Sequence, residues 1–267
     1  MMKIDFAVIG GTGVYNPKML TNLKIVDEDT PYGKVSITIG EVFSKKVAFL
    51  ARHGQGHSVP PHLINYRANI YALKNLGVKK IIATAAVGSL REDLRPGDFV
   101  LLDQFIDFTK NREQTFYEGG EKGVLHLDMT NPYCPETRNL IAQVCPKDIT
   151  LHPKGNYICT EGPRFETPAE IKMFSLWNAD VVGMTSVPEV VLAKELGMCY
   201  ASIAMVTNFA AGISQNELTH AEVTETMAQN KEKLQDLLMV VLENIAEKQN
   251  CVCPLATKEL GNLGKEE

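Results

Sequence analysis

The chain has 267 residues, 45% apolar and 22% charged, and its 27 Lys plus Arg against 32 Asp plus Glu leave a net charge of −5 at pH 7. That balance excludes a general nucleic-acid binder, which needs a basic surplus, and the length accommodates one or two domains around a sizeable core. No apolar run approaches the roughly 18 residues of a membrane span, and Met1 to Asp5 lack a signal-peptide core, so a cytoplasmic protein is expected.

Apolar runs rich in β-branched residues predict strands at Asp5 to Ile9, Val35 to Ile39, Lys46 to Leu50, Lys80 to Ala83, Phe99 to Leu102, Asn156 to Cys159 and Cys199 to Val206. Helical periodicity predicts helices over Tyr66 to Leu76 and over Glu136 to Val144, the second with Pro135 near its start. Thr167-Pro168-Ala169-Glu170 supplies a capping hydroxyl, a proline at the first helical position and a glutamate that can return to the cap's amide. Thr219-His220-Ala221-Glu222 repeats that spacing and opens a long helix to about Glu247, with Leu234, Leu237, Leu238, Val241, Leu242 and Ile245 on its apolar side. The residues beyond it read as a loosely held tail. No repeat, low-complexity block or linker divides the body, so the expectation is one α/β domain over residues 1–250, with a tail at 251–267. Its architecture is a three-layer sandwich around a central mixed, mostly parallel sheet, with ligands bound where strands end.

Six cysteines are too sparse for a disulfide scaffold, and Cys134, Cys145, Cys159 and Cys199 lie scattered without metal-ligand spacing. Cys251-Val252-Cys253 is the one close pair.

Several strand ends carry chemistry. Gly10-Gly11-Thr12-Gly13 follows the first strand, where backbone amides could cradle phosphate or the glycines could serve a tight turn. A dinucleotide fingerprint fails, because its third glycine would fall on Asn16. Arg52-His53-Gly54-Gln55-Gly56-His57 places an arginine suited to bidentate anion recognition, or to a solvated surface, just past another strand. His53 and His57 are four apart, but the glycines oppose a helix and no carboxylate or thiol joins them, so no metal site is expected. Thr84-Ala85-Ala86-Val87-Gly88-Ser89 ends a third strand in small residues, which suits a ligand against the backbone or close helix packing. Phe165 and Glu166 stand immediately before the Thr167 cap, and Met184-Thr185 precede a further helix. Thr207-Asn208-Phe209-Ala210 closes the last strand, with Asn208 either a turn former or a directional hydrogen-bonder.

Taken in order, these stretches resemble the trimeric purine nucleoside phosphorylases, in the branch that contains 5'-methylthioadenosine phosphorylase. The resemblance adds Asn65-Tyr66-Arg67-Ala68-Asn69, Gly88-Ser89-Leu90-Arg91, Pro96-Gly97-Asp98, Glu161-Gly162-Pro163-Arg164-Phe165 and the run from Met184 to Glu195. It covers roughly Ile4 to Glu247, and ordered motifs are far more specific than any one of them. It implies phosphorolysis of a purine nucleoside to free base and ribose 1-phosphate, with phosphate as co-substrate and no metal or organic cofactor. By the match, Thr12, Arg52, His53, the Ala86 amide and Thr185 would hold phosphate, Met184 would pack under the ribose, and Phe165, Glu166, Asn208, Phe209 and Ala210 would surround the base. His53 and Asn208 are the implied catalytic residues.

Adenine-specific members resemble this chain but carry aspartates where it has Asn208 and Ala210, and a serine where it has Glu166. An amide can donate to a 6-oxo oxygen and accept from the ring N–H, and a carboxylate can accept from the base's other edge. That pairing looks like the hypoxanthine and guanine readers. His220 matches a histidine that bonds the 5'-hydroxyl of ordinary nucleosides, where methylthio-accepting members have a small apolar residue. Inosine and guanosine are therefore the expected substrates, with 5'-methylthioinosine or 5'-methylthioadenosine as the alternative. The family also implies a homotrimer, or a hexamer formed as a dimer of trimers, with an aromatic ring from a neighbouring subunit closing the pocket; Phe116 is the candidate ring. Cys251 and Cys253 resemble a C-terminal pair that forms a disulfide in some heat-stable relatives.

Overall fold

The computed structural model describes residues 4–11, 20–54, 56, 58–214 and 219–259, the side chains of residues 220 and 257–259 excepted. Among the described residues, eleven strands form one sheet: β1 (Phe6–Gly10), β2 (Thr21–Thr30), β3 (Gly33–Val42), β4 (Lys45–Ala51), β5 (Lys80–Ser89), β6 (Phe99–Leu101), β7 (Gln104–Phe108), β8 (Leu151–His152), β9 (Asn156–Thr160), β10 (Val181–Gly183) and β11 (Cys199–Phe209). The helices are α1 (Tyr66–Asn75), α2 (Pro135–Val144), α3 (Pro168–Leu176), α4 (Ser186–Glu195) and α5 (His220–Asn244). The main path runs β2-β3-β4-β1-β5-β10-β9-β7, and β11 joins the other edge of β5 and carries β6 and β8. Parallel pairings dominate the centre, with antiparallel ones at β2-β3, β3-β4, β10-β5 and β11-β6. The predicted mixed, mostly parallel α/β sandwich is the observed one.

The central strands β1, β5 and β11 are buried at nearly every position because both faces are covered. In β1 the strand's two-residue period sends Ala7 and Ile9 into a core built with Ile70 and Leu73 of α1 and Val190 and Leu192 of α4. Phe6 and Val8 enter the opposite core, with Ile141 of α2 and the apolar face of α5. Leu234, Leu237, Leu238, Val241, Leu242 and Ile245 all lie in that second core as the periodicity predicts, each such side chain stabilising the fold by about 1.5–3 kcal/mol. A smaller apolar cluster joins Ile171 and Phe174 of α3 to Ile158, Val182 and Ala210.

Two expectations about the C-terminal region change. α5 stops at Asn244, and Lys45 Nζ donates to the carbonyls of Leu242, Glu243 and Ile245 at 2.7, 2.7 and 2.9 Å, satisfying groups a helix end leaves bare. The chain just beyond, through Asn250, is held: Lys80 Nζ donates to Lys248 O (2.9 Å), Gln249 Nε2 to Lys79 O (3.1 Å), and Asn250 N to Glu136 Oε2 (2.8 Å). Nor are the cysteines scattered in space: Cys134 and Cys199 meet Cys251 and Cys253 in one cluster of free thiols.

Candidate active site

The site follows from a break in the pairing of β5. One edge of β5 is paired with β11 from Lys80 to Ser89. The other edge pairs with β1 only over Lys80–Ala83 and with β10 only at Gly88 and Ser89. Among the described residues, no strand covers Thr84–Val87 on that side. Strand periodicity decides which groups face the break. Thr84 O accepts from Arg52 NH1 and Leu90 N donates to Asp180 O on the open edge, whereas Ser89 O takes Ala210 N on the β11 edge. Ala86, in phase with Thr84 and Leu90, therefore aims its N–H into the opening. Its side chain is exposed although its strand is central.

Three chain segments deliver side chains to the same place. β1 and β4 end in register at Gly10 and Ala51, and Arg52 N donates to Gly10 O (3.0 Å), so Arg52 turns off the strand end toward β5. β10 runs antiparallel to β5, so its C-terminal end carries Met184 and Thr185 toward Ala86. Thr185 is the N-cap of α4, but its hydroxyl makes no capping bond; its N–H donates to Tyr157 Oη at 3.1 Å. The chain at Val187 is extended (φ −112°, ψ 130°), so continuous α4 begins at Pro188.

Arg52 is not a free charge. It is 4% exposed; Nε and NH2 donate to both oxygens of Glu189, 0% exposed, at 2.7 and 2.6 Å, and NH1 donates to Thr84 O at 2.7 Å. Tyr200 Oη donates to Glu189 Oε1 at 2.7 Å. The fork expected to grip an anion is thus aligned by a carboxylate, and an incoming anion would meet the outer N–H groups of a neutralised pair. His53 Nδ1 lies 2.9 Å from Val59 O, and a carbonyl only accepts, so Nδ1 carries a proton. Thr12 and His57 lie outside the described residues.

On the other side of the opening, a bulge between Val206 and Asn208 of β11 re-aims Asn208, which is 4% exposed. Its orientation is fixed at both ends: Thr207 Oγ1 donates to Oδ1 at 2.7 Å and Nδ2 donates to Phe209 O at 2.9 Å. One N–H and one lone pair remain for a ligand. Gly88 makes this possible, since a Cβ there would lie 3.2 Å from Asn208 Nδ2. Phe209 is half-buried, and Ala210, 3% exposed, packs in the apolar cluster beside α3.

Glu166 lies on a separate rim. The Thr167 capping box forms in full and starts α3 directly after it, and Thr160 Oγ1 donates to Glu166 Oε1 at 2.6 Å. Burial pushes the Glu166 carboxyl up from the usual glutamate range, opposed by that hydrogen bond. Glu166 lines a cleft of about 120 Å³ with Phe108, Thr160 and Gly162, of which Asn208 is not a wall. Phe165 is 39% exposed. Gly162 packs on Met184: at φ +66°, its missing Cβ would sit 2.6 Å from Met184 Sδ. The side chain of His220 lies outside the description, although Thr219 caps its helix by accepting from Glu222 N at 3.2 Å.

Phe116 is buried within its own chain. Glu195 accepts the Thr115 hydroxyl (2.6 Å) and Phe116 N–H (2.8 Å), which turns the ring inward to pack at 5.3 Å on Tyr32 and 5.9 Å on Tyr71. Phe116 is 4% exposed, so it is a core residue. Sequence reasoning missed Glu189, which reads as an ordinary helix charge, and Arg112, which sits in a polar loop. The Arg112 side chain is 1% exposed; NH1 donates to the carbonyls of Met184 and Val187, both at 2.7 Å, and NH2 to Glu161 O at 2.8 Å. It joins the two loops that carry Met184 and Gly162.

The arrangement offers an anion seat of backbone amide, arginine and hydroxyl beside an oriented carboxamide. Residues 5–243 match the family model described as "Phosphorylase superfamily". The chain is 58% identical over 259 residues to the probable 6-oxopurine nucleoside phosphorylase of Dictyoglomus turgidum, covering 97% of this chain and 98% of that one. It is 52% identical over 258 residues to the 6-oxopurine nucleoside phosphorylase of Pyrococcus furiosus, covering 94% and 97%. A crystal structure of a methylthioadenosine phosphorylase from an antarctic soil metagenomic library superposes with a TM-score of 0.89 at 39% identity, covering 96% of this chain and 91% of that one. A match over nearly the whole body, to the family model and to these relatives alike, means that the chain belongs to the phosphorylase superfamily.

Proposed function

We propose that this enzyme is a purine nucleoside phosphorylase that cleaves the N-glycosidic bond of inosine and guanosine with inorganic phosphate, releasing free base and ribose 1-phosphate for purine salvage. The observation that carries the reading is Asn208, held so that one amide N–H and one lone pair remain for a 6-oxopurine edge. The names of the two relatives above support it. Phosphate, the co-substrate, occupies the opening beside Ala86, held by Arg52, Thr185, Thr12 and His53. It attacks the anomeric carbon as the glycosidic bond breaks, and the developing oxocarbenium charge is stabilised by that anion. Asn208 and Glu166 hold the leaving base, Phe165, Phe209 and Ala210 border it, and Met184 supports the ribose. No metal or organic cofactor takes part in this chemistry. The assembly we assign is a homotrimer, or a dimer of trimers, in the cytoplasm; no helix among the described residues is long and apolar enough to cross a membrane.

The test is release of base from inosine, guanosine, adenosine and the two methylthio nucleosides, each with and without phosphate. Phosphate-dependent cleavage of inosine and guanosine supports the whole reading. Preference for a methylthio substrate keeps the phosphate site and removes the role of His220, and His220→Val is expected to shift preference toward methylthio substrates. Absence of turnover on every substrate refutes the proposal.

A further inference from the structure

The four thiols of Cys134, Cys199, Cys251 and Cys253 come from three distant parts of the chain, and their sulfurs all lie within 4.8 Å of one another. Four thiolates around one zinc ion, at about 2.3 Å each, stand about 3.8 Å apart, so the cluster has the size of a tetrahedral site. The closest pair is Cys199 and Cys251, with sulfurs at 3.2 Å, rather than the two members of the Cys251-Val252-Cys253 pair. Three of the four are buried and Cys251 is partly exposed, which leaves a route for an ion to enter.

The surroundings suit sulfur ligands. Cys134 is the N-cap of α2, where the helix's positive end favours a negative sulfur. Gln249 Nε2 donates to Cys199 Sγ at 3.2 Å, an N–H···S contact of the kind that orients metal ligands. Thr137 Oγ1, three residues after Cys134 in the first turn of α2, is buried without a hydrogen-bond partner. Lys194 lies near Cys134 and Cys253 and offsets negative charge.

We propose that Cys134, Cys199, Cys251 and Cys253 bind one zinc ion as a structural site that fastens the C-terminal segment to the body. Binding breaks four S–H bonds, forms four Zn–S bonds and releases four protons, with no change of oxidation state. The site is remote from the phosphorolysis chemistry: Cys199 begins β11 and Asn208 lies near its other end, a span of roughly 30 Å at the rise of a strand.

The test is metal analysis of the full chain purified under reducing conditions from zinc-supplemented medium, together with its thiol count. One zinc per chain, released to a zinc dye in step with titration of four thiols by a mercurial reagent, is the expected result. Cys251→Ser and Cys253→Ser, both in the tail, should each bring zinc to background while phosphorolysis at low temperature persists. Cobalt substitution of the wild-type chain should give the visible bands of a tetrahedral thiolate complex. Zinc at background with all thiols free overturns the proposal, as do iron in place of zinc or an intact mass showing two disulfides among the four residues.

Discussion

Glu189→Gln is the sharpest probe of how the anion seat is built. The substitution keeps the size of the side chain and removes the carboxylate that pairs with Arg52 among the described residues, the Arg52 side chain being 3% exposed against 0% for Glu189. Three charge-assisted hydrogen bonds change at once: those from Arg52 Nε and NH2 and that from Tyr200 Oη. Gln can accept only through its oxygen, so its NH2 faces a donor and the guanidinium charge is left buried without its counter-charge. Breaking one side of a buried pair destabilises by about 3–5 kcal/mol. At about 2–4 °C per kcal/mol for a chain of this size, the melting temperature should fall by roughly 6–20 °C. Thermal unfolding at fixed protein concentration, with and without phosphate, reads this directly. Phosphate should restore more stability to the variant than to the wild type, because an anion in the opening replaces the missing charge. Tyr200→Phe removes one hydrogen bond to the same carboxylate and should cost only about 1.5–3 kcal/mol. A Glu189→Gln variant that melts within a degree or two of the wild type, or that gains nothing extra from phosphate, would refute the account of Arg52 as a charge aligned by Glu189 beside the anion.

Asn208→Asp replaces the outward amide N–H by an acceptor and should lower kcat/KM for inosine by about 100- to 1,000-fold, as loss of an oriented donor to developing charge does, while admitting some adenosine; unchanged selectivity removes its base-reading role. Glu166 must be ionised to accept from the base, and burial raises its pKa above the ordinary 4.5. The acid limb of kcat/KM for inosine should therefore lie above that value, activity falling as pH drops through it, and Glu166→Gln should abolish the limb. The native state also holds that proton longer than the unfolded chain, so the burial of Glu166 weakens the fold as pH rises between the two values; a flat pH profile in the wild type contradicts both statements. Gly162→Ala should raise KM for nucleoside more than KM for phosphate, since its Cβ would meet Met184 Sδ at 2.6 Å and the left-handed conformation at φ +66° costs about 1–2 kcal/mol. Equal effects on both KM values would show that the Gly162–Met184 contact does not serve the ribose.

What could be read from the sequence was local. The apolar runs of β1, β4 and β5 and the α5 face are dictated by two-residue and helical periodicities, and the Thr167 capping box sits wholly within four residues, so each appears where expected. β2 was invisible because its residues are mostly exposed and four of the ten are charged, and β10 because three residues carry no period. The residues missed at the site share another cause. Glu189 and Arg112 act on partners 137 and 72 residues away, and a charged side chain in a helix or polar loop gives no sign that packing will bury it. Phe116 failed for the same reason in reverse: its loop looks exposed until Glu195, 79 residues on, turns the ring inward. Cys134 and Cys199 give no metal signal because ligand spacing describes neighbours in sequence, whereas the start of α2, the start of β11 and the segment beyond α5 assemble this cluster through the fold.

The uncovered stretch of β5 has a consequence for how such a site tolerates change. An N–H presented by Ala86 belongs to the main chain and is the same for nineteen of the twenty residue types; only proline deletes it. Substitution can crowd that donor, but cannot alter its chemistry. The arginine, histidine and carboxamide around it are open to replacement one codon at a time, so drift in this pocket should alter which nucleoside is accepted before it alters the appetite for an anion.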